Sequence, residues 1–446
     1  MQSVLLFPYY RKVLLLLIAL FVTLSVLMNE IFFDLSTTVI VFSMLSYWFL
    51  LYSQISIEEN QCTKYRLFIT VFLYSFLLVL VFWAYSYYIR GNTFLFDETD
   101  ARLYEKHTNN LISLPIDQTI SYLSQRYSYE DWGANILMSM IFRILPDKIF
   151  MNIIFTLFSS ISSIFVFKIG MRFMSKRYAY LSSLSFATSS FIIHYNGAFL
   201  KEASLIMFVI LYINSMYKFI CDEKHISILY IFLYSSIILF YRPAITAMII
   251  FSFLCYYMIR TGHGVVKIIL VMLSLLSLLF VFSSLFDIFN RYTMDGNISA
   301  LVAEKGVKYG MQRNYAYMIN YFAAFLGPFP SVIGSKLTSC FFGSGLMFKL
   351  LLLPFFILGI INNVKIKNVE AYPLLAFFII ESFFASLVQK GMELRITLPH
   401  IFVFFIIAYM AIEKIEKGEI VIKSYSLNAF LCFTFLFVLF YNVLRQ

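Results

Sequence analysis

The stretch Phe68–Ile89, FITVFLYSFLLVLVFWAYSYYI, carries no charged residue and runs into a polar segment headed by Asp97-Glu98-Thr99-Asp100-Ala101-Arg102-Leu103-Tyr104. A spanning helix needs about 20 apolar residues, because it must cross roughly 30 Å of hydrocarbon with every backbone group bonded internally. The run meets that requirement, so the carboxylates of Asp97, Glu98 and Asp100 are delivered where the chain leaves lipid. A membrane enzyme could use such an acid as a base at the water boundary. Alternatively, Thr99 or Asp100 caps a surface helix and the acids are merely solvated.

Composition extends this reading to the whole chain. Of 446 residues, 61% are hydrophobic and 13% charged, with 52 Phe and 32 Tyr, far from the make-up of a water-soluble domain. The net charge of +10 comes from 34 Lys and Arg scattered in small groups between apolar runs, so no basic face for nucleic acid is expected. Cys62, Cys221, Cys255, Cys340 and Cys432 lie far apart, which argues against a disulfide framework or a metal cluster. Arg11 and Lys12 precede an apolar run without a small-residue cleavage site, and a retained anchor is predicted.

The expected fold is an all-α, polytopic helical bundle in a single transmembrane domain, 1–446, with about 13 spans (range about 11 to 13). The runs lie near 13–33, 36–55, 67–89, 149–170, 178–195, 201–220, 226–241, 243–260, 266–287, 346–362, 371–389, 397–412 and 422–442. At Tyr241-Arg242-Pro243 the proline either ends a helix or kinks a longer one. With the N-terminus inside, the inner connections hold Lys64 and Arg66; Arg172, Lys176 and Arg177; Lys218 and Lys224; Arg260 and Lys267; Lys365 and Lys367; and Lys414, Lys417 and Lys423. That is the positive-inside bias. Two long loops, 90–147 and 288–345, then fall outside. In the first, Leu103, His107 and Leu111, then Ile120, Leu123 and Tyr127, recur at helical spacing, and the short apolar run Ile136 to Leu145 is closed by Pro146. Helices lying in the interface are expected there.

Unusual charges gather at the outer ends of spans, where they are costly and where cations are disfavoured. Lys201-Glu202 follows His194-Tyr195-Asn196, and Arg242 precedes Pro243. Arg291 and Arg313 lie in the second loop, and Lys390, Glu393, Arg395 and His400 surround the top of two late spans. Each has an ordinary explanation: Glu202 suits a helix N-terminus, the arginines snorkel to headgroups, and His400 is a satisfied interior histidine. Together they put carboxylates and cations on one membrane face. Transfer from a phosphate-linked donor needs cations for the departing phosphate and a carboxylate for the proton of the attacking hydroxyl. Guanidinium suits a phosphate better than ammonium does, which favours Arg242 and Arg395. No Walker loop, HExxH or Gly-x-Ser-x-Gly occurs, so a nucleotide hydrolase, a zinc protease and a serine hydrolase have no support.

The Asp97-Glu98-x-Asp100-x-x-x-Tyr104 entry to the first loop resembles the acidic first-loop motif of the GT-C membrane glycosyltransferases. Leu200-Lys201-Glu202, Arg242-Pro243, Gly327-Pro328-Phe329-Pro330 and Arg395-x-x-x-Pro399 are similar in order and spacing to bacterial surface-polysaccharide polymerases and GT-C-like transferases. Chain length, span number and the pair of large loops are similar to the O-antigen polymerase family. The resemblance implies a GT-C-like fold in the bacterial inner membrane, with the active site facing the periplasm. It implies catalytic Asp97, Glu98 and Asp100, donor-phosphate contacts from Arg242, Arg395, Lys201 and Arg291, and support from Glu202, Tyr104 and His400. No cofactor is required by it, and a divalent metal stays open. The partners it implies are undecaprenyl-linked oligosaccharides, membrane lipid and a chain-length regulator. The expected function is a polymerase joining undecaprenyl-pyrophosphate-linked repeats. The alternatives are a transferase adding one sugar from a polyprenyl-phosphate donor, and a lipid-linked oligosaccharide flippase. A flippase should hold its charges in a central cavity at mid-membrane depth, whereas most charges here sit in loops or at helix ends.

Overall fold

The structure is a computed structural model that describes residues 35–91, 99–126, 132–260, 337–388 and 397–422, with scattered positions between 426 and 436. All regular structure among the described residues is helical. In chain order the helices are α1 (Leu35–Ile55), α2 (Lys64–Arg90), α3 (Thr99–Ile112), α4 (Ile116–Arg126), α5 (Trp132–Ile144), α6 (Lys148–Gly170) and α7 (Lys176–Ala187). They continue with α8 (Ser190–Gly197), α9 (Glu202–Ile220), α10 (Ser227–Leu239), α11 (Pro243–Arg260), α12 (Leu337–Lys365), α13 (Tyr372–Val388) and α14 (Ile401–Glu416). Short 3-10 turns at Val369–Ala371 and Leu398–His400 lead into α13 and α14. Within the described residues, five segments are long and apolar enough to cross a membrane: Lys64–Tyr88, Lys148–Gly170, Glu202–Ile220, Phe342–Lys365 and Leu398–Glu416. The expected spans 13–33 and 266–287, and most of 422–442, lie outside the described residues.

Helix ends follow local chemistry. Thr63 accepts a hydrogen bond from the Arg66 amide at 3.1 Å and starts α2, and Asp147 does the same for Phe150 at 3.0 Å and starts α6, each satisfying an amide the helix cannot. The central element is α14. It is apolar all round and nearly all buried, as a helix must be when it has no polar face, and it packs on α12, α7 and α13. Helix α6 packs on α2, α7 and α9.

Two expectations change, and one open alternative closes in favour of two helices. The run 178–195 is two short helices, α7 and α8, parted at Thr188-Ser189. There the Thr188 hydroxyl donates to the Leu184 carbonyl at 2.7 Å and the Ser189 hydroxyl to Phe186 at 2.6 Å, a side-chain alternative that competes with continued helix. Pro243 starts a helix rather than kinking one: α10 stops at Leu239, the Arg242 amide bonds the Ile238 carbonyl at 2.8 Å, and α11 begins on the proline, where its missing N–H costs nothing. The second long loop, expected to run to 345, is over by 337, where α12 begins. Gly345, which reads as loop, is a close-approach site instead: a Cβ there would lie 2.8 Å from the Phe191 ring of α8, and small residues are what let membrane helices meet.

The first long loop holds α3, α4 and α5 as its periodicity predicts. Helix α3 packs on α5, and Arg143 of α5 donates to the carbonyls of Leu111 and Leu114 at 2.8 and 2.7 Å, capping the end of α3. Its buried face runs through Ala101, His107, Thr108 and Leu111, while Leu103 is exposed; the contact with α5 uses shorter residues than the apolar spacing implied.

Of the connections expected inside, those near 55–64, 171–177, 221–226, 365–371 and 413–417 share one end of the bundle, and the one holding Lys267 lies outside the described residues. The Lys176 amide donates to Glu59 at 3.1 Å, Arg177 to the Ile55 carbonyl at 2.6 Å, and the Ser175 amide to Glu413 at 3.0 Å. Arg172 pairs with Asp222 at 2.6 Å and the Tyr217 hydroxyl donates to the Glu370 carbonyl at 2.9 Å. At the opposite end the Gly133 amide of α5 donates to the Phe240 carbonyl at 2.9 Å, Trp132 stacks on Phe240, and Phe142 meets Phe199.

Two outcomes follow from this packing. A Cβ on Gly359 of α12 would lie 2.6 Å from the Ile407 carbonyl oxygen of α14, a backbone atom that cannot swing aside. Gly359→Ala should therefore cost about 1 to 3 kcal/mol, seen as a lower Tm of the protein purified in detergent; an unchanged Tm would contradict the α12–α14 contact. For sidedness, single cysteines at 120, 175 and 365, placed in a chain lacking its five own cysteines, should react differently with an impermeant thiol reagent on intact cells. Position 120 should label at once, and 175 and 365 only after permeabilisation; the reverse pattern would invert the assignment of ends.

Candidate functional site

The Arg242 end gathers the polar residues that the apolar pattern leaves unexplained. Helix α8 ends at Gly197, and the chain turns through Phe199, whose φ of 57° is left-handed backbone that a phenylalanine rarely adopts. Such a conformation costs about 1 to 3 kcal/mol and persists only where packing enforces it. Here Phe199 is buried with its ring 5.4 Å from that of Phe142 on α5. The turn brings Lys201 and Glu202, both buried, to the start of α9. A carboxylate in the first turn of a helix faces unpaired amides and the positive end of the helix dipole.

Glu202 is met there by Arg242 from the α10–α11 turn, with Nη2 3.3 Å from Oε1. The Glu202 side chain is 1% exposed and that of Arg242 23%. Next to it the Ser204 hydroxyl donates to the Tyr241 hydroxyl at 3.1 Å. The Tyr241 ring lies against Gly133, where a Cβ would come within 2.5 Å of it; glycine is what lets α5 settle on this turn. From α8, buried His194 contributes a ring that lies 4.9 Å from Phe342. Asn196 accepts from the Ser159 hydroxyl of α6 at 2.5 Å. Among the described residues, Asn196 Nδ2 and Asn152 Oδ1 are buried without a hydrogen-bond partner, a state that native proteins rarely leave unfilled.

Of the residues singled out from sequence, Glu202 and Arg242 are brought into contact, with Lys201 next to Glu202 along the chain. Asp100 lies half-buried in the first turn of α3 and Tyr104 one turn on. Helix α3 reaches the Arg242 end through α5. His400, in the turn that opens α14, is bonded through Nδ1 to Glu381 of α13, which fits the satisfied interior histidine. Asp97, Glu98, Arg291 and Arg395 lie outside the described residues, as do Arg313, Lys390, Glu393 and the Gly327–Pro330 turn. No group of three His, Cys, Asp or Glu side chains converges among the described residues in a way that would hold a metal. Sequence reasoning missed Glu381, Lys349 and Asn152. The first two are charges inside runs otherwise apolar, FFIIESFF and LMFKLLLL, and a scan for long apolar stretches averages them away.

Chemically, the guanidinium has five N–H donors in a fixed fork. The contact with Glu202 holds it in place and leaves part of its surface open, so it can present donors to a second anion. A pair that only fastened the α10–α11 turn to α9 would not need that exposure. The pair is also a stability element, since removing one partner of a buried ion pair strands the other. Glu202→Gln and Arg242→Gln should each lower the Tm, and the double variant should lose less than the sum of the two, by about 0.5 kcal/mol or more. Strict additivity in that cycle would mean the two side chains do not interact. No protein-family model matches the chain, and no curated protein matches it.

Proposed function

We propose that the chain is a membrane glycosyltransferase that uses a lipid-linked phosphate donor at the Arg242 end of the bundle, and within that class a polymerase of undecaprenyl-pyrophosphate-linked repeats. The observation that carries this reading is Arg242, held by buried Glu202 yet itself partly exposed, at the end that α5 adjoins, with α3 packed on α5. In the reaction the acceptor hydroxyl attacks the anomeric carbon, and the bond from that carbon to the phosphate oxygen breaks. The phosphate leaves with the electron pair, and the hydroxyl proton passes to a carboxylate. Arg242 stabilises the charge on the departing phosphate, aided by Lys201. The carboxylate is drawn from Asp97, Glu98 and Asp100, with Tyr104 one turn along the same helix as Asp100. The place of action is a bacterial inner membrane, with the site on the periplasmic side.

A second reading, the lipid-linked oligosaccharide flippase, is favoured by one specific observation. Lys349, Glu381 and His400 are ionisable side chains buried among the helices, and intramembrane charges mark transport pathways.

One experiment separates these. Deleting the gene should leave surface glycan capped with a single repeat if the chain is a polymerase. The glycan should be a full ladder lacking one substituent if it is a single-sugar transferase, and no surface repeat should appear if it is a flippase. Arg242→Ala should reproduce the single-repeat pattern at normal protein level, and Arg242→Lys should restore length poorly because a point charge cannot replace a planar fork. A normal ladder in the deletion strain, on a gel of extracted glycolipid, would rule the polymerase out.

A further inference from the structure

Three helices each bring a titratable side chain into the buried interior of the bundle. Lys349 comes from α12, Glu381 from the middle of α13, and His400 from the turn that opens α14; they are 3%, 4% and 1% exposed. Glu381 Oε2 is bonded to His400 Nδ1. The other ring nitrogen, Nε2, is 3.4 Å from the Ser382 hydroxyl. The Phe378 ring stands edge-on to the imidazole at 4.5 Å. Lys349 Nζ lies 5.3 Å from the centre of the Phe404 ring, which stacks on Phe356, and Phe356 in turn meets Phe378.

We propose that Glu381 and His400, with Lys349 beside them, form a proton-binding site inside the helical bundle. One carboxylate, one neutral imidazole and one ammonium sum to zero charge, the state a low-dielectric interior favours. The imidazole already shares one hydrogen with Glu381, and an added proton enters as an N–H on the imidazole or an O–H on the carboxyl. The Glu381–His400 pair titrates as one unit, and Lys349 limits it to a single extra charge. The other charged and titratable groups on elements packed against α13 and the Leu398–His400 turn are, among the described side chains, Glu202, Tyr212, Tyr217 and Lys218 of α9, Tyr256 and Tyr257 of α11 with Arg242 just before it, Glu370 in the Val369–Ala371 turn, and Tyr409, Glu413, Lys414 and Glu416 of α14. A purely structural join between α13 and α14 does not need this arrangement, because apolar residues of similar size hold helices together as well as a buried ion pair does. Ionisable groups kept within a membrane bundle are expensive, and they gather where protons or ions are handled. The site stands independently of the reading of Arg242.

The test is an infrared titration of the full chain in lipid nanodiscs from about pH 8 down to about pH 4, a range that brackets ordinary imidazole and carboxyl groups. The wild-type spectrum should contain a one-proton component, in the carboxylic-acid or imidazolium bands, that is missing from both Glu381→Gln and His400→Gln. Should either variant fail to fold, Lys349→Met keeps the pair and removes the neighbouring positive charge. Protonation then becomes easier, so the midpoint should rise by about one pH unit. Spectra of the wild type and the Glu381 and His400 variants that superpose across the range, or a midpoint unmoved by Lys349→Met, would overturn the proposal.

Discussion

Hydrocarbon offers no hydrogen bond, and the rest of this structure follows from how the chain meets that constraint. Backbone groups are satisfied within helices, and the hydroxyls that ride on those helices are satisfied in the same way. On α6 the Thr156, Ser160 and Ser163 hydroxyls donate to the carbonyls of Asn152, Thr156 and Ser160 at 2.7 to 2.8 Å. That leaves a face of small residues, and against it packs α7, itself rich in serine and wholly protein-covered over Tyr178–Ala187. Close approach recurs at Gly170 against Ala179, at Gly345 against Phe191 and at Gly359 against Ile407. Between helices in lipid, packing and not water exclusion is the attraction, so small residues at the crossings matter more than large apolar ones.

Charge is distributed under the same constraint. At the Lys176 end, carboxylates of Glu59 and Glu413 accept from backbone amides at the start of α7, Glu416 accepts from the Tyr178 hydroxyl, and Arg177 donates to a carbonyl at the end of α1. These bonds tie together connections far apart in sequence. The Arg242 end is built differently: α5 lies against the α10–α11 turn, and there Arg242 meets buried Glu202 from the start of α9. Buried ion pairs seldom stabilise more than apolar replacements would. The retention of one here, with part of its arginine exposed, is better understood through what the guanidinium can bind.

Two clusters of ionisable groups are thus kept at expense in one bundle, and they differ in kind. Glu202 and Arg242 sit where helices end and one partner is partly open, a placement suited to an anionic ligand arriving from outside. Glu381, His400 and Lys349 are almost fully buried, with the Phe378 ring against His400 and the Phe404 ring near Lys349, a placement suited to a proton rather than to a large ligand.

The sequence by itself determined that this is a helical membrane protein, because run length and the near absence of charge over Phe68–Ile89 and its counterparts leave a bilayer-crossing helix as the solution. It also determined that 99–144 would be helical and amphipathic, and which connections share an end. Periodicity and charge are local properties, so they survive in one dimension. What only the tertiary structure decided is pairing: that Glu202 meets Arg242 across 40 positions, that His400 belongs to Glu381 rather than to the outer end, and that Gly345 is a contact rather than a loop. Helix breaks were equally hidden, since Thr188 and Ser189 interrupt an apolar run through hydrogen bonds that a hydropathy count does not see. Which side chains share a site depends on how helices cross, and crossing is set by packing volumes at points such as Gly133 and Gly359, which no single segment encodes alone.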